Sequence, residues 1–179
     1  MKRAHFNLKI TIACAMLSAL SIVLGKYLAI NIGDTFRISL ESLPIIFGGI
    51  FLGAIPAVLI ALVADVLGCL MVGYTINPII TIGAMLIGLA SAVVYRLCKK
   101  YALREAFAIA IAVGCAHLIG SVVVKTVGLS VFYDTPLFVL MALRLLNYAF
   151  IALAEGLTLY VLSKSTGLRH EISKFLEEK

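Results

Sequence analysis

Apolar residues occur along this chain in runs that are too long for one face of a soluble helix. Several runs exceed about 18 residues, the length that marks a transmembrane helix, and short polar or turn-forming segments separate them. The pattern predicts an all-α membrane protein, a compact bundle of six transmembrane helices in a single domain covering residues 1–179. The predicted spans are residues 9–27, 43–53, 54–72, 78–97, 105–127 and 136–163.

Composition supports a membrane protein over a soluble one. The chain has 63% hydrophobic and 13% charged residues, whereas a soluble domain is about half apolar and about one quarter charged. The net charge is +6, and in a six-span topology nearly all basic residues fall on one side. The positive-inside rule makes that side cytoplasmic, so we expect both termini and the charged tail 164–179 in the cytoplasm. Because topology accounts for the basic charge, we expect no nucleic-acid partner.

Polar residues inside or beside the spans supply the candidate binding site. In this topology, residues from four different spans share one depth near the outer face. A charge inside the membrane is costly, so it usually has a function and a partner. The candidate substrate-binding residues are Arg37, Glu41, Asp65, Tyr74, Lys125, Arg144 and Asn147. Three cations face two carboxylates, so an anionic ligand entering from outside would meet the remaining positive charge, and arginine forks suit carboxylates.

The same residues can be explained by structure alone. Arg37 and Glu41 have the i, i+4 spacing of a pair on one helix face, and Asp65 can pair with Arg144 or Lys125. Tyr74 and Asn147 can serve for interface anchoring or packing. Deeper in the spans, Glu155 is interpreted as an internal helix–helix contact, and His117 as a packing histidine because its own span contains no acidic partner.

Small residues form two stripes that are typical of close helix packing in membranes. One is Ala15 and Ala19 in the first span, and the other includes Ala57 and Ala61 in the third. Each stripe can pack within the chain or dock on another membrane subunit, and we expect these four alanines to be partner-docking residues.

Catalytic and nucleotide-binding motifs do not occur in the sequence. It contains no Gly-x-x-x-x-Gly-Lys-Ser/Thr, His-Glu-x-x-His or Gly-x-Ser-x-Gly motif, and its four cysteines form no Cys-x-x-Cys pair. We therefore expect no cofactor, no metal and no catalytic residues. The chain is predicted to bind a solute without energising its movement.

Essentially the whole chain resembles a known family, and the specific part of the resemblance is residues 26–68. Six short spans, Ala15-x-x-x-Ala19, and RISLESLPIIFGGIFLG followed by ADVLG resemble the substrate-binding S components of energy-coupling factor (ECF) vitamin transporters. Within that superfamily, Arg-x-Ser-x-x-Ser-Leu-Pro-Ile at residues 37–45 is similar to the folate-specific S component. One departure is Gly-Ala-Ile-Pro at residues 53–56, where the family pattern has Gly-Pro.

The resemblance implies a function, a set of partners and a location in the plasma membrane of a bacterium. The chain would capture folate or a reduced folate from outside and dock through the Ala15 and Ala19 face on a transmembrane coupling protein, which two cytoplasmic ATPases serve. The pterin edge of folate would suit Asp65 or Glu41, and its glutamate tail would suit Arg37, Lys125 or Arg144. The alternatives are an S component for another vitamin and, from other classes, a small membrane enzyme or a channel.

Overall fold

A computed structural model describes residues 8–32, 36–165 and 167 of the chain. Most of the predicted cytoplasmic tail, from residue 168 onward, lies outside these described residues. So do several of the basic residues on which the predicted orientation rests, namely Lys2, Arg3, Arg169, Lys174 and Lys179.

Helices make up nearly all of the described chain, which confirms the predicted fold class. Six apolar helices follow one another: α1 Leu8–Tyr27, α2 Ser42–Leu52, α3 Ala54–Val72, α4 Pro78–Lys100, α5 Glu105–Phe132 and α6 Leu137–Lys164. Five of them are long and apolar enough to cross a membrane, whereas α2 covers only about 16 Å of a hydrocarbon core about 30 Å thick. The largest difference from the predicted bounds is in α5, which continues past residue 127 to Phe132.

Three helical segments are wound more widely than an α-helix, as π-helix. Val23–Tyr27 forms the C-terminal end of α1, and Gly48–Leu52 forms the C-terminal end of α2. His117–Val124 lies in the middle of α5. Such π segments often occur at functional sites.

A short hairpin that the sequence analysis did not predict joins α1 to α2. Strands β1 (Ile30–Ile32) and β2 (Phe36–Ile38) pair antiparallel, with Asn31 opposite Arg37. Isoleucine at alternate positions favours a strand here. Arg37 therefore precedes α2 in a strand, and the interpretation of Arg37 and Glu41 as an i, i+4 pair on one helix face is wrong.

Local signals explain where two helices begin. The side chain of Asn77 caps α4 by accepting a hydrogen bond from the Ile79 N–H at 3.0 Å, and Pro78 occupies the first helical position. Between α2 and α3 the chain turns at Gly53, whose φ of +112° favours glycine. The turn that ends at Asn77 lets α4 pack beside α3.

Helix α4 lies at the centre of the bundle because glycines let its neighbours approach closely. A Cβ atom on Gly88 would lie 2.8 Å from the Ala57 carbonyl oxygen of α3, and one on Gly83 would lie 3.0 Å from the Gly120 carbonyl oxygen of α5. Such contacts leave no room for a larger side chain. The largest fully buried apolar side chains around this centre are Ile46, Ile60, Ile87, Ile109 and Leu159.

The two alanine stripes differ in exposure. Ala57 and Ala61 are 0% exposed because α3 packs them inside the chain, so their predicted role as partner-docking residues is wrong. Ala15 and Ala19 are both exposed on α1. Their docking role stays a prediction.

Candidate binding cavity

A cavity of about 500 Å³ lies at the end of the bundle where α4 begins. Its wall brings together six of the seven predicted site residues: Glu41, Asp65, Tyr74, Lys125, Arg144 and Asn147. The backbone of the seventh, Arg37, lies in β2, and its side chain is outside the described part of the chain. Sequence reasoning missed the other lining residues, which are Lys26, Ser39, Cys69, Thr75, Ile80, Leu129, Leu143 and Tyr148.

Lys125 and Glu41 form an ion pair in the wall of this cavity. Lys125 Nζ on α5 lies 3.0 Å from Glu41 Oε1, just before α2, and the side chains are 7% and 26% exposed. The Ser21 hydroxyl of α1 donates to the Glu41 carbonyl oxygen at 2.6 Å and fixes its backbone. Three elements distant in sequence thus meet at one charge pair.

Asp65 is held by a hydroxyl group. Thr81 Oγ1 on α4 donates to Asp65 Oδ2 at 2.6 Å. The sequence analysis offered Arg144 or Lys125 as ion-pair partners, whereas the structure gives Asp65 a neutral donor. A hydroxyl orients the carboxylate without cancelling its charge, so Asp65 keeps the ability to attract donors of a ligand.

Arg144 is fixed from two sides on α6. Its Nε and Nη2 atoms donate to the Ser121 carbonyl oxygen at 3.3 and 3.2 Å, and Nη2 also lies 3.2 Å from the Tyr148 hydroxyl. The guanidinium carbon lies 5.1 Å from the centroid of the Tyr148 ring, within cation–π range. The sequence signal for Tyr148 was its i+4 position from Arg144 on the same helix face.

Lys26 is a further cation in the wall and is not among the predicted site residues. Its Nζ lies 5.6 Å from the centroid of the Tyr74 ring. Its stem passes close to Gly68, where a Cβ atom would lie 2.9 Å from Lys26 Cε. The position of Lys26 at the end of α1, on the side with few other cations, was the available signal.

The described wall combines charge with apolar surface. Three cations, Lys26, Lys125 and Arg144, face two carboxylates, Glu41 and Asp65, which leaves one net positive charge. Apolar side chains complete the wall: Ile80, Leu129 and Leu143. Among the described residues no group of three His, Cys, Asp or Glu side chains is arranged to hold a metal ion. Such a wall suits an organic ligand with an anionic group, hydrogen-bond donors and an apolar body.

Comparison with known proteins identifies the family. The family described as the ECF transporter substrate-specific component matches residues 9–163. The chain belongs to this family. It is therefore the substrate-binding component of a transporter and not an enzyme, and it works with an ECF module as its partner. No curated protein sequence is significantly similar to it.

Solved structures of S components share the fold. FolT bound with folic acid has a TM-score of 0.69 and 21% identity, over 87% of this chain and 93% of that one. ThiT from Listeria monocytogenes has a TM-score of 0.67 and 19% identity, over 89% and 96%. The S component for biotin from an ECF-type ABC transporter has a TM-score of 0.64 and 19% identity, over 90% and 94%. At these identities the likeness extends to the fold alone.

Proposed function

We propose that this S component captures folate or a reduced folate from outside the cell. The observation that carries the proposal is the placement of Asp65 and Arg144 in one cavity with a net positive wall. Asp65 supplies an acceptor held by a neutral hydroxyl, and Arg144 supplies a cation that is already oriented. Preorganised groups bind more tightly because less side-chain freedom is lost when the ligand arrives.

The chemistry of folate matches each kind of group in the wall. Its pterin edge presents amino and ring N–H donors that a carboxylate such as Asp65 accepts. Its glutamate tail carries two carboxylates, for which Lys26, Lys125 and Arg144 are available. Its aromatic linker suits the apolar part of the wall, and a cavity of about 500 Å³ falls within the range of about 300–1,000 Å³ for small-molecule sites.

An S component for a different vitamin is the second candidate. It is favoured by the likeness of the fold to the S component for biotin, whose TM-score of 0.64 is close to that of FolT. The ureido N–H groups of biotin could donate to Asp65, but biotin carries a single carboxylate and would leave part of the cationic wall unmatched. The charge pattern of the wall therefore favours folate.

A ligand panel on the purified full-length protein tests the proposal. The thermal midpoint is measured with folate, a reduced folate, pteroate, biotin, riboflavin, thiamine and pantothenate, each at several concentrations. A ligand that binds only the folded protein raises its stability in proportion to the logarithm of its concentration. We expect folate or the reduced folate to give the largest rise. Pteroate, which lacks the glutamate, should give a smaller one.

Two results would decide against folate. One is the absence of any stabilisation by folates. The other is stabilisation by biotin or another vitamin at lower concentrations than folate. Mass spectrometry of the small molecule that co-purifies with the protein provides an independent check.

Delivery of the ligand requires a docking partner. We propose that the exposed face of α1 around Ala15 and Ala19 contacts a transmembrane coupling protein, and that two cytoplasmic ATPases supply the energy. The described basic residues Lys99, Lys100 and Arg104 lie at the opposite end of α4 from the cavity. This arrangement supports a plasma-membrane protein whose cavity faces outward and whose termini lie in the cytoplasm.

A further inference from the structure

A buried acid–imidazole pair lies between α5 and α6, outside the cavity. His117 Nε2 is 2.7 Å from Glu155 Oε2, and the two residues are 2% and 0% exposed. The other carboxyl oxygen, Oε1, has no hydrogen-bond partner among the described residues. Removing a carboxyl group and an imidazole from water costs on the order of a few kcal/mol, which a single hydrogen bond between them does not offset. Stability alone therefore does not account for the pair.

The sequence predicts positions inside the bundle for both residues but no contact between them. His117 was interpreted as a packing residue because its own span lacks an acidic partner. The acid comes from α6, which α5 contacts only in the folded bundle.

Two contacts connect this pair to the cavity wall. His117 Nδ1 lies 3.1 Å from Ser121 Oγ, and the Ser121 carbonyl oxygen accepts both hydrogen bonds from Arg144. The imidazole ring also stacks on Tyr148, with centroids 5.1 Å apart and an interplanar angle of 29°. Tyr148 in turn lies under the Arg144 guanidinium. The buried pair therefore reaches Arg144 through Ser121 and through Tyr148.

Helix α6 buries only a narrow stripe against the rest of the bundle, in which Ile151 and Leu159 lie on either side of Glu155. Only 6% of an apolar 18-residue stretch of α6 is buried, against 33–50% of the corresponding stretches in the other long helices. Phe150 and Leu153 are each 72% exposed. Lipid tails are as apolar as these side chains, so hydrophobicity does not distinguish one face of the helix from another. Arg144, Tyr148 and Glu155 share one stripe, with Arg144 and Glu155 about 16 Å apart along the helix.

We propose that the Glu155–His117 contact is a positioning pair, which fixes the rotation of α6 against α5 and thereby holds Arg144 and Tyr148 in the cavity wall. The inference rests on the proposed function insofar as that cavity is the ligand site. Neither residue touches the ligand. Both act through Arg144 and Tyr148, which do line the cavity.

An apolar replacement of the pair separates positioning from stability. The double variant His117→Leu/Glu155→Met keeps roughly the same volume, and replacing a buried polar pair with apolar residues is often neutral or stabilising. We expect an unchanged or raised thermal midpoint, together with folate binding weakened about tenfold, a typical size for coupled neighbouring residues. A lowered midpoint with unchanged folate affinity of the folded protein would overturn the proposal.

A cycle with Arg144→Ala tests whether the pair acts through Arg144. In that background we expect the double replacement to cause a clearly smaller loss of folate affinity than in the parent protein, because Arg144, one of the two groups that it positions, is already absent. Losses that simply add would show that the pair acts independently of Arg144 and would contradict the proposal.

Two single variants serve as controls. Glu155→Gln retains a hydrogen bond to His117, and we expect it to retain folate affinity; a loss as large as that of the double replacement would overturn the positioning role. Glu105→Gln alters a comparable contact far from the cavity, where Tyr95 and Lys99 donate to Glu105 at 2.6 and 2.8 Å. It should leave folate affinity unchanged.

A measurement without ligand distinguishes failure of this inference from failure of the proposed function. With 3-fluorotyrosine at position 148, we expect one ¹⁹F resonance in the ligand-free protein and a split or broadened resonance in His117→Leu/Glu155→Met. A shift without splitting or broadening follows from loss of the stacked imidazole ring alone and counts as a single position of Tyr148. A split or broadened resonance in a protein that does not bind folate would retain the positioning pair and reject folate. A single sharp resonance, in a protein that binds folate with unaltered affinity, would retain folate and reject the pair.

Discussion

Lys125 Nζ lies 3.0 Å from Glu41 Oε1, so a cation of α5 is neutralised by a carboxylate from the residue that precedes α2. The pair occupies the cavity wall and leaves Lys26 and Arg144 as the other described cations there. The pair also joins two elements that are distant in sequence. Its removal should therefore affect both the stability of the bundle and the charge available to a ligand.

Lys125→Met should lower the thermal midpoint of the ligand-free protein, by an amount corresponding to about 1–3 kcal/mol, because Glu41 loses the charged donor that lies 3.0 Å away. The double variant Lys125→Met/Glu41→Gln should recover part of that loss, since it also removes the carboxylate charge that Lys125 neutralises. Thermal unfolding of the three proteins in the same detergent provides the measurement. A double variant that is less stable than Lys125→Met would show that the pair is not the source of the effect.

Asp65→Asn should weaken folate binding by about 10- to 100-fold, because a hydrogen bond to a charged acceptor contributes about 1.5–3 kcal/mol. The asparagine retains an oxygen that can accept from Thr81, so the ligand-free midpoint should change little. Titration calorimetry with folate measures the loss.

Thr81→Val is the matched control for Asp65→Asn. It removes the hydroxyl donor at 2.6 Å but keeps the carboxylate charge, so its loss of affinity should be smaller. The reverse order of the two losses would indicate that orientation of Asp65 matters more than its charge.

Arg144→Ala should weaken folate binding strongly while the protein still inserts into the membrane. Arg144→Lys should recover only a small part, because an ammonium group does not reproduce the planar fork that contacts Ser121 and Tyr148. Arg104→Ala, which removes an exposed cation outside the cavity, is the control and should bind like the parent protein. Retained affinity in Arg144→Ala would make this residue a structural contact only.

Gly83→Ala should lower both stability and folate affinity. The added Cβ atom would lie 2.7 Å from Lys125 Cγ and 3.0 Å from the Gly120 carbonyl oxygen, and overpacking of this kind costs about 1–3 kcal/mol. Gly114→Ala provides the comparison on α5, since a Cβ atom there would meet nothing within 4 Å. Equal midpoints for the two variants would contradict close packing of α4 on α5.

Ala15→Trp should abolish vitamin uptake by cells while the purified protein binds folate normally, because the indole would separate α1 from the coupling protein. Leu153→Trp, at a position 72% exposed on α6, tests whether any bulky exposed residue has this effect, and it should retain uptake. Radiolabelled folate uptake and binding are measured on the same variants. Normal uptake by Ala15→Trp would place the docking surface elsewhere.

The sequence by itself determined the membrane class, the order of the helices and the group of polar residues near one face. Apolar runs of about 20 residues are long enough to cross a membrane as helices, and the alternating direction of such helices assigns a depth to each polar residue. That reasoning selected Glu41, Asp65, Lys125 and Arg144, which the tertiary structure brings to one cavity. It also distinguished these residues from the deeper Glu155.

Only the tertiary structure decided which partners these residues have, because side-chain contacts between helices depend on helix rotation and separation. The rotation of the helices places Asp65 against Thr81 and Glu155 against His117. Charge matching in the sequence had offered Arg144 or Lys125 to Asp65 and no acid to His117. Close packing buried Ala57 but left Ala15 exposed, although both stripes have the same small residues in sequence. A periodic pattern identifies the face of a helix, whereas the neighbour that covers that face is known only once the whole bundle has formed.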